Sequence, residues 1–332
     1  MSGTLVVQTA WIGDTVLTIP LLTTLAERHG PVDVLTTPAA APLLEVHPAV
    51  AHVLRFDKRG RDRGASGLWR VARAVRRRGY ATAILAQGSV RSALVPFLAG
   101  IPTRVGFDDA PGRWFCTERV SGRWTHEADR LTALAAPAAA AAGMSLMLTE
   151  ADRQVADALL AGEGVVGPFA ALAPGSARAT KQWPYYPELA VALASSVGVV
   201  ILDGPGGAGV RAAIGPRGTV ADLTGRLTIR QAAAVLERAA VAVTNDSAAL
   251  HMAQAVGTPV VGLFGPTPAA RFGPRGARDR IVAVDGLACR PCSTHGDARC
   301  PLVHHRCLRD MPVDTVHRIV QSVLQRSERV CG

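Results

Sequence analysis

The stretch VAVTNDSAALHMAQAVGTPVVGLFGPT, residues 241–267, contains the pattern that decides the fold. It begins and ends with short apolar runs rich in β-branched residues, and each run stops at a turn sequence. The residues between the two runs have the spacing of a helix. Two strands joined in this way by one helix form a parallel βαβ unit. The stretch therefore predicts an α/β fold with a parallel sheet.

The same alternation of strand-like and helical segments extends on both sides of this stretch. Phe169–Ala173 and residues 199–202 are apolar runs in the same half, and residues 4–9 begin a comparable series in the first half. A chain of 332 residues has room for two domains. We therefore expect an α/β protein with two doubly wound, Rossmann-like domains, an interdomain cleft that binds ligands and an amphipathic C-terminal helix. The expected boundary divides residues 1–150 from residues 151–332.

The composition excludes several classes of protein. Hydrophobic residues make up 48% of the chain and charged residues 19%, which is too apolar for an intrinsically disordered protein. The N-terminal residues lack the basic region of a signal peptide. The most apolar long stretch, residues 131–148, is broken by Pro137 and Gly143 and is too short to span a bilayer. These features favour a soluble, cytoplasmic protein.

Positive charge is concentrated in one segment of the first half. The formal net charge is +10, and residues 55–78 hold ten arginine or lysine residues against Asp57 and Asp62. Such a segment is either a solvated surface or a binding surface for an anionic partner, such as a phosphorylated substrate, an acidic lipid or a nucleic acid. The composition leaves both interpretations open.

A glycine-rich turn in the second half matches the pattern of dinucleotide-binding proteins. Residues 204–209 read GPGGAG after a predicted strand, and Asp222 lies 18 residues after Gly204. This pattern favours an NAD-linked oxidoreductase. Gly215 and Pro216 argue against it, because they interrupt the helix that should follow and make the crossover too short for a complete βαβ unit.

Asp14 is the candidate catalytic residue of the first half. It follows the first predicted strand in the sequence Trp11-Ile-Gly13-Asp14, and a helical pattern comes after it. A glycine at this place permits a tight turn that would direct Asp14 into the cleft, where an ionised carboxylate can accept a proton. The alternative is that Asp14 caps the helix, which is a frequent use of aspartate.

Two turns of the second half contain residues suited to holding an anion. The loop PGSARATKQWP, residues 174–184, follows a strand, so its N–H groups and Lys181 could hold a phosphate group. The turn TNDSAALH, residues 244–251, places Asp246 and Ser247 at the start of a helix, where the N–H groups attract anions. An ordinary loop and an ordinary helix cap use the same residue types, so the pattern alone leaves both interpretations open.

Four cysteines lie within 19 residues in the second half. Their spacing is C-x2-C-x7-C-x6-C, with histidines close by, and four thiolates so spaced can form a tetrahedral zinc site. Buried reduced thiols or a disulfide would be compatible with the same spacing. The residues concerned are Cys289, Cys292, Cys300 and Cys307, with His295, His304 and His305 nearby.

Taken in order along the chain, these turns resemble glycosyltransferase family 9, the ADP-heptose:lipopolysaccharide heptosyltransferases. The similarity extends over essentially the whole chain, and the cysteine group is most similar to that of the heptosyltransferase II branch. Two positions differ from the family pattern. Asp203-Gly-Pro-Gly-Gly207 replaces a Gly-Gly-Pro turn followed by an acidic, ribose-binding residue, and Ala248 replaces a glycine. The shared features are the G-D pair after the first strand, the P-G-S-x4-K-x-W-P loop, the N-D-S-x3-H turn, the G-T-P-V-V-G-L-F-G-P-T run and the C-x-x-C group.

The resemblance implies a GT-B fold and a particular division of work. Residues 1–150 would bind the acceptor. Residues 151–332, which include the cysteine-rich segment 289–307 and the C-terminal helix, would bind the nucleotide sugar. The implied reaction is the transfer of a heptose from ADP-heptose to the inner core of lipopolysaccharide, with inversion at the anomeric carbon. The enzyme would act as a cytoplasmic protein or peripherally at the cytoplasmic face of the inner membrane, with no nucleic acid partner.

The resemblance also implies roles for individual residues. Asp14 would be the general base, and no metal or other cofactor would be required, because Lys181 and N–H dipoles can supply the positive field. The implied donor-binding residues are Ser176, Ala177, Thr180, Lys181, Asp246, Ser247, Ala248 and His251. The implied acceptor-binding residues are Gly13, Arg76, Arg77 and Arg78.

Three alternatives remain open from the sequence. The first is a transferase of the same fold that uses another nucleotide sugar. The second is the NAD-linked oxidoreductase. The third is a zinc or iron–sulfur module that binds nucleic acid through the cysteines and the arginine-rich segment.

Overall fold

The computed structural model describes residues 3–136, 141, 143–204, 209–214 and 220–331. These residues form two six-stranded sheets in which every strand pairing is parallel, with helices connecting the strands. The α/β class and the two doubly wound sheets are therefore confirmed. The chain divides into two compact units, Met1–Met147 and Leu148–Gly332.

The N-terminal unit has the strand order β3-β2-β1-β4-β5-β6. Its central strands are almost completely buried, which explains why they appear in the sequence as continuous apolar runs. The strands are β1 Thr4–Gln8, β2 Val32–Thr36, β3 Val50–Arg55, β4 Thr82–Leu85, β5 Thr103–Phe107 and β6 Glu118–Val120. The helices are α1 Ile12–Leu17, α2 Ile19–His29, α3 Ala41–Leu44, α4 Gly64–Arg76, α5 Val90–Leu98 and α6 Glu127–Thr132, with a 3-10 turn at Arg113–Phe115.

The C-terminal unit repeats this topology in the order β12-β11-β10-β7-β8-β9. The strands are β7 Phe169–Ala173, β8 Gly198–Ile201, β9 Val220–Asp222, β10 Val241–Asn245, β11 Val260–Phe264 and β12 Arg280–Ala283. The helices are α7 Glu150–Gly162, α8 Tyr186–Leu193, α9 Gly209–Ile214, α10 Ile229–Arg238, α11 Ala248–Ala255, α12 Ala269–Phe272, α13 Arg306–Arg309 and α14 Val313–Cys331, with a 3-10 turn at Ala179–Lys181.

The predicted C-terminal helix is α14, and it closes the core of its own unit. Val316, Val320 and Val323 are buried together with residues of α8 and β10. The amphipathic spacing of these valines in the sequence therefore reports their packing. In the part of the chain that the structure describes, every helix is too short or too polar to cross a bilayer.

Each sheet has a point at which the strand order reverses, and this point positions the candidate site. In the N-terminal unit the reversal lies between β1 and β4, and in the C-terminal unit it lies between β7 and β10. The segments that leave these strands diverge to opposite sides, so a crevice opens at their carboxyl ends, where open α/β sheets bind ligands.

The sequence pattern was misleading at one helix. The alanine-rich composition of residues 133–144 predicts a helix, but α6 ends at Thr132 and residues 133–135 form a turn. Residues 141, 143 and 144 are also outside regular structure. Residues 137–140 and 142 of the predicted helix lie outside the described residues. Alanine has high helix propensity, but a helix also needs an apolar face that packs, and propensity alone is a weak guide.

Candidate functional site

Asn245 organises the strand reversal of the C-terminal unit. It ends β10, and its side-chain amide bridges both ends of the loop that follows β7. Its Nδ2 donates to the carbonyl of Pro174 at 2.7 Å, and its Oδ1 accepts the N–H of Trp183 at 3.1 Å. Asn245 is fully buried, so these backbone groups have no access to water there. The sequence pattern gives Asn245 no role of its own, although it directly precedes Asp246.

Asn245→Ala should therefore damage both stability and nucleotide binding. The substitution leaves a buried carbonyl and a buried N–H without their partner. Each such unsatisfied group lowers the free energy of unfolding by about 1–3 kcal/mol. We expect a lower free energy of unfolding in urea and at least a fivefold weaker ADP affinity in calorimetry, because the bridged loop carries Lys181. Thr244→Val is the control, since Thr244 is its buried neighbour on the opposite face of β10. Loss of stability with unchanged ADP affinity would limit Asn245 to a structural role.

Lys181 and Asp246 form a buried ion pair beside this bridge. Nζ of Lys181 lies 3.1 Å from Oδ2 of Asp246, and the two side chains are only 14% and 7% exposed. Lys181 comes from the loop after β7, and Asp246 comes directly after β10. The fold thus brings together two residues that the sequence analysis had selected from separate turns. In this arrangement Asp246 holds the lysine ammonium group in place.

The start of α11 adds further polar groups at the same edge of the sheet. Ser247 occupies the N-cap position, Ala248 begins the helix, and His251 lies one turn further on and is buried. Among the described residues, the buried hydroxyl groups of Ser247 and of Thr267, which follows β11, have no hydrogen-bond partner. Buried hydroxyl groups are normally satisfied, so these two are suited to a polar ligand.

Gly175 lies where another side chain approaches the loop very closely. A Cβ atom at this position would be 1.9 Å from Oδ1 of Asp203, which itself accepts the N–H of Gly204 at 2.7 Å. Burial raises the pKa of the Asp203 carboxyl group, and the charge of Asp222 on the neighbouring strand raises it further. Asp203 is a further polar residue of this edge, and the sequence pattern predicts no role for it. Residues 205–208 of the glycine-rich turn and the Gly215–Pro216 break lie outside the described residues.

The other predicted residues of the loop have different surroundings. Ala177 is exposed, and Oγ of Ser176 accepts the N–H of Arg178 at 3.4 Å. Thr180 is buried, and its hydroxyl group both donates to the carbonyl and accepts the N–H of Asp297, at 2.8 Å in each case. The Thr180 hydroxyl is therefore used to attach the cysteine-rich segment to the loop.

The cysteine-rich segment braces the candidate site at several further points. Nε2 of His305 lies 2.7 Å from the Thr180 carbonyl oxygen. The N–H of Cys292 donates to the Pro266 carbonyl at 3.0 Å. A Cβ atom at Gly296 would lie 2.7 Å from Cγ of Lys181, so the lysine stem packs directly on this glycine. The segment therefore supports Lys181 from the side of its aliphatic chain.

The four cysteines of this segment are free thiols. Burial raises the pKa of Cys307 to about 11, and the other three sulfur groups, Cys292, Cys300 and Cys289, contribute to the shift. Within the described residues, no group of three or more His, Cys, Asp or Glu side chains is arranged to hold a metal ion. The contacts given above assign the segment a structural function in bracing the loop.

Asp14 lies in the first turn of α1 at the strand reversal of the N-terminal unit. Asp14 is the third residue of the helix, and its Oδ2 accepts the N–H of the N-cap residue Trp11 at 3.1 Å. The carboxylate of Asp14 therefore contributes to capping of the helix. Gly13 is buried within the same helix, which corrects the expectation that it forms a turn. The turn into the helix comes earlier, before Trp11. The side chain of Asp14 is partly exposed.

A hydrogen-bonded cluster on the adjacent strand end lies near the start of this helix. The hydroxyl group of Thr9, after β1, contacts Oε1 of Gln87, after β4, at 2.6 Å and Oγ of Ser92 at 2.6 Å. Ser92 also donates to Gln87 at 2.7 Å. No local sequence pattern indicates this cluster, because its members come from three separate segments. It fixes the ends of β1 and β4 relative to each other.

Two of the three predicted acceptor-binding arginines have local structural partners. Arg76 donates to the carbonyl groups of Leu98 and Ala99 at the end of α5. Arg78 pairs with Asp33 at 2.8 Å. Arg77 is exposed. Their role in acceptor binding stays a prediction.

Comparison with known proteins identifies relatives that match most of the chain. Residues 68–302 match the model of glycosyltransferase family 9 (heptosyltransferase). Lipopolysaccharide heptosyltransferase 2 of Salmonella typhimurium is 26% identical over 307 residues, which cover 84% of this chain and 87% of that protein. The protein of the same name from Escherichia coli K12 is 27% identical over 310 residues, with the same coverage of 84% and 87%.

Solved structures show the same fold. A glycosyltransferase family 9 protein from Veillonella parvula superposes with a TM-score of 0.87 at 21% identity, covering 98% of each chain. ADP-heptose lipopolysaccharide heptosyltransferase II of E. coli superposes with a TM-score of 0.81 at 24% identity, covering 98% of this chain and 99% of the other. At these identities, the comparison establishes the GT-B fold.

Proposed function

This chain belongs to glycosyltransferase family 9 and is a glycosyltransferase, and from this we propose that it transfers a heptose from ADP-heptose to the inner core of lipopolysaccharide. The names of the relatives, lipopolysaccharide heptosyltransferase 2, support this choice of donor sugar and acceptor. Membership of this family replaces the NAD-linked oxidoreductase and the nucleic-acid-binding metal module that the sequence had left open.

The observation that carries the proposal is the Lys181–Asp246 pair at the strand reversal of the C-terminal unit. A nucleoside diphosphate sugar presents two anionic phosphates beside a ring rich in hydroxyl groups. A buried ammonium group suits the phosphates, and a carboxylate at hydrogen-bond distance suits sugar hydroxyl groups. The pair places both chemical groups 3.1 Å apart. We therefore assign nucleotide-sugar binding to residues 148–332 and acceptor binding to residues 1–147.

The proposed reaction is a single displacement with inversion. An acceptor hydroxyl oxygen forms a bond to the anomeric carbon, the bond from that carbon to the diphosphate breaks, and the electron pair leaves with ADP. Asp14 accepts the proton of the hydroxyl group. Lys181 and the N–H groups at the start of α11 stabilise the negative charge that develops on the diphosphate. Ser176, Ser247 and His251 complete the donor-binding set.

Gly13 and Arg77 belong to the acceptor side of the proposal. Arg77 carries an exposed positive charge, and the inner core of lipopolysaccharide contains acidic sugars and phosphates. The acceptor is part of a membrane lipid, so we propose that the enzyme works as a peripheral protein at the cytoplasmic face of the inner membrane.

Calorimetric titration with ADP, UDP, GDP and NAD tests the donor class in one experiment. We expect ADP to bind at least tenfold more tightly than the other three. Preferred binding of UDP or GDP would favour a transferase that uses another nucleotide sugar. A transfer assay with ADP-heptose and a heptose-deficient inner-core acceptor then tests the sugar and the acceptor, and failure to form product with a protein that binds ADP would overturn them.

A further inference from the structure

Helices α4 and α5 form one layer on the surface of the N-terminal unit. They run side by side in the same direction, as the hydrogen bonds between their corresponding ends show. Arg91 at the start of α5 donates to the carbonyl of Gly64 at 3.2 Å, and Arg76 at the end of α4 donates to the carbonyl of Leu98 at 2.6 Å. The 3-10 turn Arg113–Phe115 packs beside α5 through the ring contact of Phe97 with Phe115. We call this layer the α4–α5 face.

Large apolar side chains of the α4–α5 face point into solvent. Trp69 on α4 is 50% exposed, Phe97 on α5 is 46% exposed and Trp114 in the 3-10 turn is 69% exposed. Val90, which lies two turns before Phe97 on α5, is 44% exposed. A single exposed apolar residue needs no explanation, but four of this size on adjacent elements form a surface that excludes water on contact with a partner.

Positive charge surrounds these apolar residues. Residues 63–104, which include both helices, contain eight arginines, no lysine and no acidic residue. Arg73 on α4 and Arg77, directly after the end of α4, are exposed, and within the described chain their side chains form no ion pair. Arg113 lies over the ring of Trp114 at 4.8 Å from its centroid. Of the acidic residues near the face, Asp62 is buried against Arg70, so it does not neutralise the outer surface.

This combination distinguishes between classes of anionic partner. A nucleic acid or a soluble phosphorylated molecule would account for the arginines, but not for exposed valine and phenylalanine. A bilayer with anionic lipids accounts for both, because tryptophan and phenylalanine insert at the level of the headgroups while arginine binds the phosphates. The charge, the aromatic residues and their common location therefore fit a lipid surface.

We propose that the α4–α5 face docks on a bilayer that contains anionic phospholipid, with Trp69, Phe97 and Trp114 at the headgroup level and Arg73 and Arg77 against the phosphates. The proposal specifies the surface of attachment, and it stands whatever sugar the enzyme transfers. Arg77 then binds the membrane that carries the acceptor, in addition to its proposed contact with the acceptor itself.

Co-sedimentation with lipid vesicles tests the docking surface without donor or acceptor. The full chain should bind vesicles of phosphatidylcholine with 30% phosphatidylglycerol, and bind vesicles of phosphatidylcholine alone at least tenfold more weakly. The double variant Arg73→Gln/Arg77→Gln should bind the anionic vesicles about ten- to thirtyfold more weakly than the unchanged chain, since each arginine near such a surface contributes about 1 kcal/mol. Higher salt should weaken the binding of the unchanged chain.

Matched variants of the C-terminal unit control for net charge and apolar area. Arg309→Gln/Arg318→Gln removes the same charge from exposed positions and should leave vesicle binding unchanged. Trp69→Ser/Phe97→Ser should weaken binding at least fivefold, whereas Val155→Ser/Val166→Ser, at 39% and 91% exposed positions, should not.

Three results would overturn the proposal. They are no preference for the anionic vesicles, equal losses in the two arginine double variants, and binding to a double-stranded oligonucleotide without binding to vesicles. None of them depends on ADP binding or sugar transfer, so they are distinguishable from failure of the proposed function.

Discussion

Asp14→Asn should lower kcat by at least a hundredfold while ADP affinity and melting temperature stay nearly constant. A sugar hydroxyl group is a poor nucleophile near neutral pH, so a base must take its proton as the new bond forms, and such a base typically contributes about 10²–10⁴-fold. The carboxylate of Asp14 accepts the N–H of Trp11 and has the capacity to accept more than one hydrogen bond. Asparagine keeps an oxygen for Trp11 but loses the basic group. Steady-state kinetics, calorimetry with ADP and thermal unfolding measure the three quantities.

Asp152 provides a matched control for helix capping. Like Asp14, it is the third residue of its helix, and its Oδ2 accepts the N–H of the N-cap residue Thr149 at 3.0 Å. Asp152→Asn should alter stability through its capping and its ion pair with Arg230, but it should leave kcat unchanged. If Asp14→Asn keeps more than about a tenth of the original kcat, with chemistry shown to be rate-limiting, then Asp14 is a helix cap and not the base.

Lys181→Met should weaken ADP binding by about ten- to a hundredfold and should also destabilise the protein. A hydrogen bond from an ammonium group to a phosphate is worth about 1.5–3 kcal/mol, which gives the loss of affinity. Methionine keeps an aliphatic stem that can pack on Gly296 but leaves the buried Asp246 carboxylate without its cation. Removal of one partner from a buried pair costs about 3–5 kcal/mol, with the lower end expected because Lys181 is 14% exposed. Calorimetry and urea unfolding measure the two effects.

The double variant Lys181→Met/Asp246→Asn separates binding from stability. It removes both charges, so most of the lost stability should return, while ADP binding should stay weak. ADP lacks the heptose, so a role of Asp246 toward that sugar does not affect this measurement. Wild-type ADP affinity in the double variant would show that Lys181 does not contact the phosphates.

The central strands could be predicted from the sequence because both faces of these strands are buried. Val241–Asn245 and Val260–Phe264 are entirely buried and read as uninterrupted apolar runs. The outer strands Glu118–Val120, Val220–Asp222 and Arg280–Ala283 were missed. They lie at or next to the ends of the two sheets, have only three or four residues, and include polar residues, so no apolar run marks them.

The candidate site could be predicted where a residue type and its position at a strand end were enough. Lys181, Asp246 and Ser247 were selected in this way. The amide of Asn245 escaped notice because its partners, Pro174 and Trp183, lie more than sixty residues away in the sequence. Long-range hydrogen bonds of this kind depend on the order of the strands, which no local pattern encodes.

The positions of Gly13 and Thr180 differ from the predictions for two separate reasons. Glycine permits a tight turn, which predicts a turn at Gly13. Glycine is also compatible with a helix, however, and α1 begins at Ile12, before Gly13. The hydroxyl of Thr180 is occupied by Asp297, 117 residues later. A small polar residue in a loop that is proposed to bind phosphate therefore need not face the phosphate.

The cysteine-rich brace gives the protein a native labelling site beside its proposed donor loop. Cys292 is exposed, and its own N–H is bonded to the turn that carries Thr267, while Cys307 is buried and has a pKa of about 11. Burial raises the pKa of the Cys292 thiol as well. Maleimide reagents attack an accessible thiolate, so they should react faster with exposed Cys292 than with buried Cys307. In a variant with Cys116, Cys289, Cys300 and Cys331 replaced by serine, a dye on Cys292 would then report the arrival of nucleotide through the hydrogen bonds that connect the brace to the loop.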